Sequence, residues 1–260
     1  MPVIKGLEWT FDTKAELYEK MRPGYSDKLY QEIFRFCPLN QASSALEIGI
    51  GAGQATEPVL KSGCKVTSVE RGAHFTDICN KKFSSYPHFT CINSRFEDFD
   101  AQENSFDLIY AASSFHWIDE EFGYRKVHSL LKKGGAFARF ANHPYKDKEN
   151  EAMEDAIQKV YVRYMPGSKM SDEYTMEAAQ NRAKIAEKYG FCDIEAHIFR
   201  RVRTFTAEEY TDLLGTYSDH IAIEENTRMK FFSEIRDVIN SYGGVKRIFD
   251  TMDLALARKI

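Results

Sequence analysis

The chain has 260 residues and is 43% hydrophobic, which suits one α/β domain or one domain with a sizeable insertion. Its 35 Lys and Arg stand against 39 Asp and Glu, a formal charge of −4 with no basic tail, which argues against a dedicated nucleic-acid binder. Cys37, Cys64, Cys79, Cys91 and Cys192 form no C-x-x-C pair, the opening "MPVIKGLEWTF" has no signal-type apolar core, and no stretch of about 18 apolar residues occurs. The expectation is a reduced cytoplasmic protein with no metal, no membrane segment and no nucleic-acid partner.

Strand and helix signals then alternate along the chain. "SSALEIGI" reads as a buried strand and "ATEPVLKSG" as a short helix ending on Gly63. "CKVTSVER" is a second strand, and "AHFTDICNKKFSSY" a helix. "HFTCINSRF" and "SFDLIYAASS" are the third and fourth strands. "EFGYRKVHSLLKKGG" is a helix with a glycine stop, and "AFARFAN" a fifth strand. Strands alternating with helices of this length predict a mostly parallel sheet with helices on both faces, a Rossmann-like α/β fold.

After residue 145 the pattern changes. Met153, Ile157, Val160 and Tyr164, joined by Tyr161, recur at helical spacing, as do Phe232, Ile235, Val238, Ile239 and Tyr242. Strands "IEAHIFRRVRTF" and "MDLALARKI" lie on either side of the second helical region. The layout predicts one domain over 1–260, with helical cap insertions at 145–180 and 206–248 over the sheet's carboxyl edge. In open α/β sheets, ligands bind at that edge.

"ALEIGIGAGQAT" places Gly49, Gly51 and Gly53 at alternate positions behind the first strand, two residues after Glu47. A dinucleotide fingerprint needs G-x-G-x-x-G, but position 54 is Gln; a Walker A loop needs G-K-[ST], which does not occur. What remains is E-x-G-x-G-x-G, with Glu70 closing the second strand. An acid there can accept from both hydroxyls of a ribose. A tight turn and a surface carboxylate are the plain alternative for each half alone. Together they point to an adenosyl group that lacks a pyrophosphate.

With "YEKMRPGY", "LEIGIGAGQAT", "VTSVERG", "SRFEDFDAQENSFDLIYAASSFHWID" and "LLKKGGAFARF", the sequence resembles the class I S-adenosylmethionine-dependent methyltransferases, in the trans-aconitate methyltransferase-like (methyltransferase type 11) subgroup. By motif the resemblance covers about residues 10 to 141. It implies a seven-stranded sheet with the last strand inserted antiparallel, and S-adenosyl-L-methionine as cofactor. Gly49, Gly51 and Gly53 would pass under the methionyl and ribose parts, and Glu47 would lie near the cofactor's ammonium. Glu70 would bind the ribose, with Arg71 beside adenine. Phe96 would offer its backbone amide to adenine, and Ala112 and Ser113 would face the methionyl chain. At Arg95 many relatives have an acid that accepts from the adenine amino group, and this chain departs from that pattern.

Four further stretches carry candidates. Tyr18 and Arg22 share a helix face, and within the resemblance Arg22 would close over the site onto the cofactor carboxylate, making 10–35 a lid region; the plain alternative is a surface arginine ending a helix before Pro23. "FHWID" puts His116 and Trp117 just past the fourth strand. His116 is the one candidate general base, though a structural histidine with Trp117 packed beneath it is the favoured alternative. Arg201 and Arg203 share one face of their strand and Arg200 the other; solvated edge charges are the favoured reading, an anion patch the minor one. Tyr217 and His220 are candidates for a substrate pocket.

Transfer from a sulfonium is a direct displacement with a good leaving group, so alignment of the acceptor does much of the work. A carboxylate acceptor needs no deprotonation. The resulting expectation is a small-molecule methyltransferase acting on oxygen or carboxyl. A protein or RNA methyltransferase, and a non-catalytic cofactor-binding protein, are the alternatives.

Overall fold

The computed structural model describes residues 12–168 and 172–260. The opening eleven residues, including the start of the expected lid, and residues 169–171 of the first expected cap lie outside the described residues. Seven strands form one mixed, mostly parallel sheet: β1 (Ser44–Ile48), β2 (Lys65–Glu70), β3 (Phe89–Asn93), β4 (Phe106–Ala112), β5 (Leu131–Tyr145), β6 (Phe191–Thr206) and β7 (Val245–Lys259), in the order β3-β2-β1-β4-β5-β7-β6. β1 runs parallel to β2 on one side and to β4 on the other, and β2–β3 and β4–β5 are also parallel. The strand order therefore reverses at β1, which is where open α/β sheets open a crevice at their carboxyl ends.

Ten α-helices are assigned among the described residues: α1 (Ala15–Met21), α2 (Asp27–Phe36), α3 (Thr56–Leu60), α4 (Ala73–Lys82), α5 (Glu120–Leu130), α6 (Glu151–Tyr164), α7 (Met176–Lys184), α8 (Ala207–Leu214), α9 (Ser218–Ile221) and α10 (Glu225–Ser241). Their starts are capped as short polar residues dictate. Ser26, Asp119, Asn150 and Thr175 each accept a first-turn amide, and Thr206 with Glu209 makes a reciprocal capping box at α8. The expected run of helix through Gly135 stops at Leu130. Leu131 already pairs with Phe106, and the register shifts before Leu108↔Ala136. Gly134 turns at φ +79, and a Cβ on Gly135 would sit 2.9 Å from the Lys132 carbonyl oxygen. The glycine pair shapes the strand's entry rather than the helix's end.

The described chain divides into two compact units. One comprises Pro23–Asn142, Thr175–Phe199 and Met252–Ile260. Its sheet is packed on both faces: Leu29, Tyr30, Ile33, Tyr110 and Phe140 belong to one apolar cluster, and Leu46, Ile48, Phe115, Tyr124 and Phe137 to another. Helix α2 buries Leu29, Tyr30, Ile33 and Phe36 in the first cluster, so this half of the expected 10–35 lid is a fixed core element. Each such buried side chain contributes about 1.5–3 kcal/mol, which holds the helix to the sheet.

The other unit takes Arg22 and the described residues before it, His143–Tyr174 and Arg200–Thr251. Its core is Met153, Ile157 and Val160 of α6, Leu213 and Leu214 of α8, and Phe231, Ile235 and Ile239 of α10. The α6 stripe follows the expected spacing. In α10 the stripe is rotated: Phe231 is fully buried, whereas Tyr242 is 42% exposed. Glu224 caps the helix well before Phe232, the first residue of the expected stripe, and Tyr242 has already left it. β7 also begins earlier than expected, at Val245. Its charged residues are neutralised in place: buried Lys246 pairs with Glu154, and buried Asp250 with Arg201 and Arg203. Those two arginines are thus neither solvated edge charges nor an open anion patch, because a buried carboxylate already holds them.

Candidate cofactor site at the carboxyl end of β1

β1 ends in Gly49, Gly51 and Gly53, with φ of +69, +55 and +77. Side chains with a Cβ lose roughly 1–2 kcal/mol in that left-handed region, so the loop's path selects glycine. Packing selects it again at two positions. A Cβ on Gly49 would come 2.7 Å from Cβ of Ser114, and one on Gly53 would come 2.6 Å from the Phe83 ring.

Glu70 closes β2 and is only 7% exposed. Its Oε2 accepts from the Gly51 amide at 3.0 Å and its Oε1 from the Gly72 amide at 2.8 Å. One carboxylate therefore ties together the loops that follow β1 and β2. Below the loop, the Cys79 thiol donates to the Gly51 carbonyl and Lys82 Nζ to that of Ala52.

Glu47 is buried within β1. Its Oε2 accepts from Thr56 Oγ1 at 2.8 Å and from the Tyr110 hydroxyl at 2.9 Å, while its Oε1 is buried with no hydrogen-bond partner among the described residues. Burial pushes its carboxyl up to about 8, against the pull of the Thr56 and Tyr110 hydrogen bonds, and nearby Glu70 adds to the rise. Thr56 and Tyr110 are parts of the site that sequence reading missed. A hydroxyl nine residues on and a tyrosine in the adjoining strand give no local pattern.

At the end of β4, Ala112 is half-buried, and Ser113 is a non-glycine residue at φ +55. The Ser113 amide donates to the Phe140 carbonyl at 2.8 Å, and its hydroxyl lies 2.8 Å from that of Tyr25. The Ser114 hydroxyl donates to the Ile48 carbonyl, pinning this turn against β1. His116 follows on a single 3-10 turn and is exposed, with its ring 5.2 Å from that of half-buried Trp117.

On the β2 and β3 side, Arg71 and Arg95 are exposed, and Arg95 pairs with Glu97 at 3.3 Å. The Phe96 ring is buried in the core, and its carbonyl accepts from Lys126 Nζ. The Phe96 side chain is thus committed to core packing.

Tyr18, Arg22, Tyr217 and His220 fall in the other unit. Arg22 donates from Nε to Thr216 Oγ1 and from Nη2 to the Thr216 carbonyl, both at 2.9 Å. Its guanidinium lies between the Tyr18 ring at 5.1 Å and the Tyr217 ring at 4.1 Å. Within the protein, Arg22 is thus already held by Thr216 and two aromatic rings. His220 is wholly buried, with Nδ1 2.7 Å from Asp219 Oδ1 and Nε2 3.0 Å from the Tyr161 hydroxyl. It has no open face for a substrate, so it belongs to this unit's core rather than to a pocket.

Residues 46–138, which span the glycine loop, Glu70 and the exit of β4, match the methyltransferase domain model. An uncharacterized methyltransferase of Schizosaccharomyces pombe is 22% identical over 238 residues, covering 89% of this chain and 88% of its own. Among solved structures, a putative type II methyltransferase from Anaeromyxobacter dehalogenans superimposes with a TM-score of 0.65 at 20% identity, covering 92% of this chain and 97% of its own. A phosphoethanolamine N-methyltransferase of Haemonchus contortus, solved with phosphomonomethylethanolamine and S-adenosylhomocysteine, superimposes with a TM-score of 0.56 at 17% identity, covering 100% of this chain and 61% of its own. Domain and fold agree: the chain carries a methyltransferase domain, built on the Rossmann-like α/β fold that it shares with these structures.

Proposed function

We propose that the protein transfers the methyl group of S-adenosylmethionine to oxygen, most simply a carboxylate oxygen, of a small-molecule acceptor. We place it with the trans-aconitate methyltransferase-like enzymes. The observation that carries the cofactor part is the Glu70 clasp on a loop of three left-handed glycines at the sheet's reversal point. The residues suit the group chemically. A carboxylate has about four lone-pair sites, so a Glu70 oxygen that accepts a backbone amide can also accept a ribose hydroxyl. Gly49, Gly51 and Gly53 would let the methionyl and ribose parts lie against bare backbone. Glu47, whose carboxyl is pushed up to about 8, would lie near the ammonium group and offer its buried Oε1 as a hydrogen-bond acceptor. Ala112 and Ser113 would border the methionyl chain, and Arg71, Arg95 and the Phe96 backbone the adenine.

When bound, the cofactor supplies an electrophilic methyl on a sulfonium. The chain's contribution is to hold cofactor and acceptor in line and to exclude water. His116 is exposed on a single 3-10 turn just past β4, with its ring beside that of Trp117. A carboxylate acceptor is already ionised at neutral pH and needs no general base for displacement at a sulfonium methyl. The five cysteines are unpaired, which fits a reducing, cytoplasmic setting.

The test is turnover of methyl-labelled cofactor against panels of carboxylic acids, alcohols, amines, peptides and RNA. Label in small acids, released as methanol by mild base, is the expected result because esters hydrolyse and ethers do not. Label confined to peptide or RNA would overturn the acceptor class.

A further inference from the structure

Arg139 interrupts the run Ala136–Ala141, whose other members are all buried apolar residues. Its register partner is Ala111, the last residue but one of β4, so it stands at the carboxyl end of the parallel sheet. The guanidinium lies 5.3 Å above the Phe115 ring, and Nη1 donates to the Tyr124 hydroxyl at 3.1 Å. Arg139 Nε is buried and has no hydrogen-bond partner among the described residues.

Among the described residues, the surrounding charges do not balance it. Asp253, 1% exposed, already accepts from Arg182 Nη1 with both oxygens, at 2.8 and 2.6 Å, and from the Ala141 amide at 3.0 Å. Arg182 is itself only 14% exposed. Two guanidinium groups therefore share one fully engaged carboxylate, leaving one largely buried positive charge over. Burial first, and Arg182 second, push Arg139 down from the usual arginine range, while Tyr124 and Asp253 act the other way. A buried charge of this kind is costly unless something of opposite sign meets it. A guanidinium with free N–H groups is the natural fork for carboxylate or phosphate.

We propose that Arg139, backed by the Arg182–Asp253 pair, binds an anionic group of the methyl acceptor, a carboxylate or a phosphate, at the carboxyl ends of β4 and β5. This rests on the methyltransferase reading above and narrows its substrate class. The sheet order separates this anion from the cofactor's own carboxylate: β5 lies on the far side of β4 from β1, whose glycine loop is the proposed cofactor seat.

The test titrates inorganic phosphate and citrate into the protein saturated with S-adenosylhomocysteine, at matched ionic strength, following the midpoint of thermal unfolding. In the unaltered protein each anion should raise the midpoint in a saturable way. Arg139→Met should weaken the apparent anion affinity at least fivefold, Arg139→Lys should retain an intermediate response, and S-adenosylhomocysteine affinity should stay within twofold in both. Should Arg139→Met fail to fold, Arg139→Lys alone decides, through its anion response measured against unchanged cofactor affinity. An equal anion response in the unaltered and Arg139 variants would overturn the proposal. A tenfold loss of S-adenosylhomocysteine affinity would also overturn it, by assigning Arg139 to the cofactor's carboxylate. No S-adenosylhomocysteine binding by the unaltered protein would instead sink the methyltransferase reading, and this inference with it.

Discussion

Replacing Glu70 by Ala removes the acceptor of two backbone amides, those of Gly51 and Gly72, at a position that is 7% exposed. A buried donor left without a partner costs about 1–3 kcal/mol. Partial access of water to the opened loops lowers the sum, so we expect a stability loss of about 2–4 kcal/mol by urea unfolding. Cofactor binding should fall separately, by about 1.5–3 kcal/mol, the range for hydrogen bonds to a charged group. At about 1.4 kcal/mol per factor of ten, that is roughly a 10- to 150-fold rise in Kd. Glu70→Gln retains one carbonyl oxygen but turns an NH2 toward the other amide, so it should fall between the two. Equilibrium dialysis with labelled S-adenosylmethionine, at a urea-free temperature where each variant is folded, separates the effects. If Glu70→Ala binds cofactor normally while losing stability, the carboxylate is a loop clasp and not a ribose ligand. If it loses neither, the geometric argument fails altogether.

Gly53→Ala should cost about 2–4 kcal/mol in urea unfolding, combining the left-handed φ with overpacking against the Phe83 ring; a neutral variant would contradict the close approach. Gly51→Val should abolish cofactor binding while leaving near-native circular dichroism, and normal binding would reduce the loop to a turn. Glu47 titrates in the fold at about 8 rather than at 4.5, so the native state holds a proton that the unfolded chain has released between those values. Its contribution to stability is present below about pH 4.5 and is lost as pH rises through about 8, with a slope of about 1.4 kcal/mol per pH unit. Glu47→Gln should remove that slope; parallel stability curves for the two proteins would refute the raised titration. Arg22→Ala should speed amide exchange across Ala15–Met21 without any cofactor present, because Thr216 and Tyr217 already hold the guanidinium; protection that is lost only in the cofactor-bound state would restore the ligand-dependent lid.

The glycine loop and Glu70 were legible because both are constrained locally, one by φ and the other by its place at a strand end. The clasp on Glu47 was not, since Tyr110 is 63 residues away and meets it only once β4 lies beside β1. Arg139 is a charge inside an apolar strand run that the sequence reading passed over, and its significance needs Arg182 and Asp253, brought together from α7 and β7. The early start of β7 was hidden by Lys246 and Asp250, charges inside a strand whose partners lie on α6 and β6. His220 and Arg22 looked available in sequence for the same reason: their partners Asp219, Tyr161 and Thr216 are fixed by tertiary packing.

The central claim is that the bare loop after β1 seats an adenosyl sulfur ligand and not a dinucleotide. Titration calorimetry of the full chain with S-adenosylhomocysteine, and in parallel with NAD, tests it most directly. The account predicts one saturable site per chain for S-adenosylhomocysteine, weakened by Glu70→Ala, and no measurable heat with NAD. Tight NAD binding with no response to the sulfur ligand would contradict it.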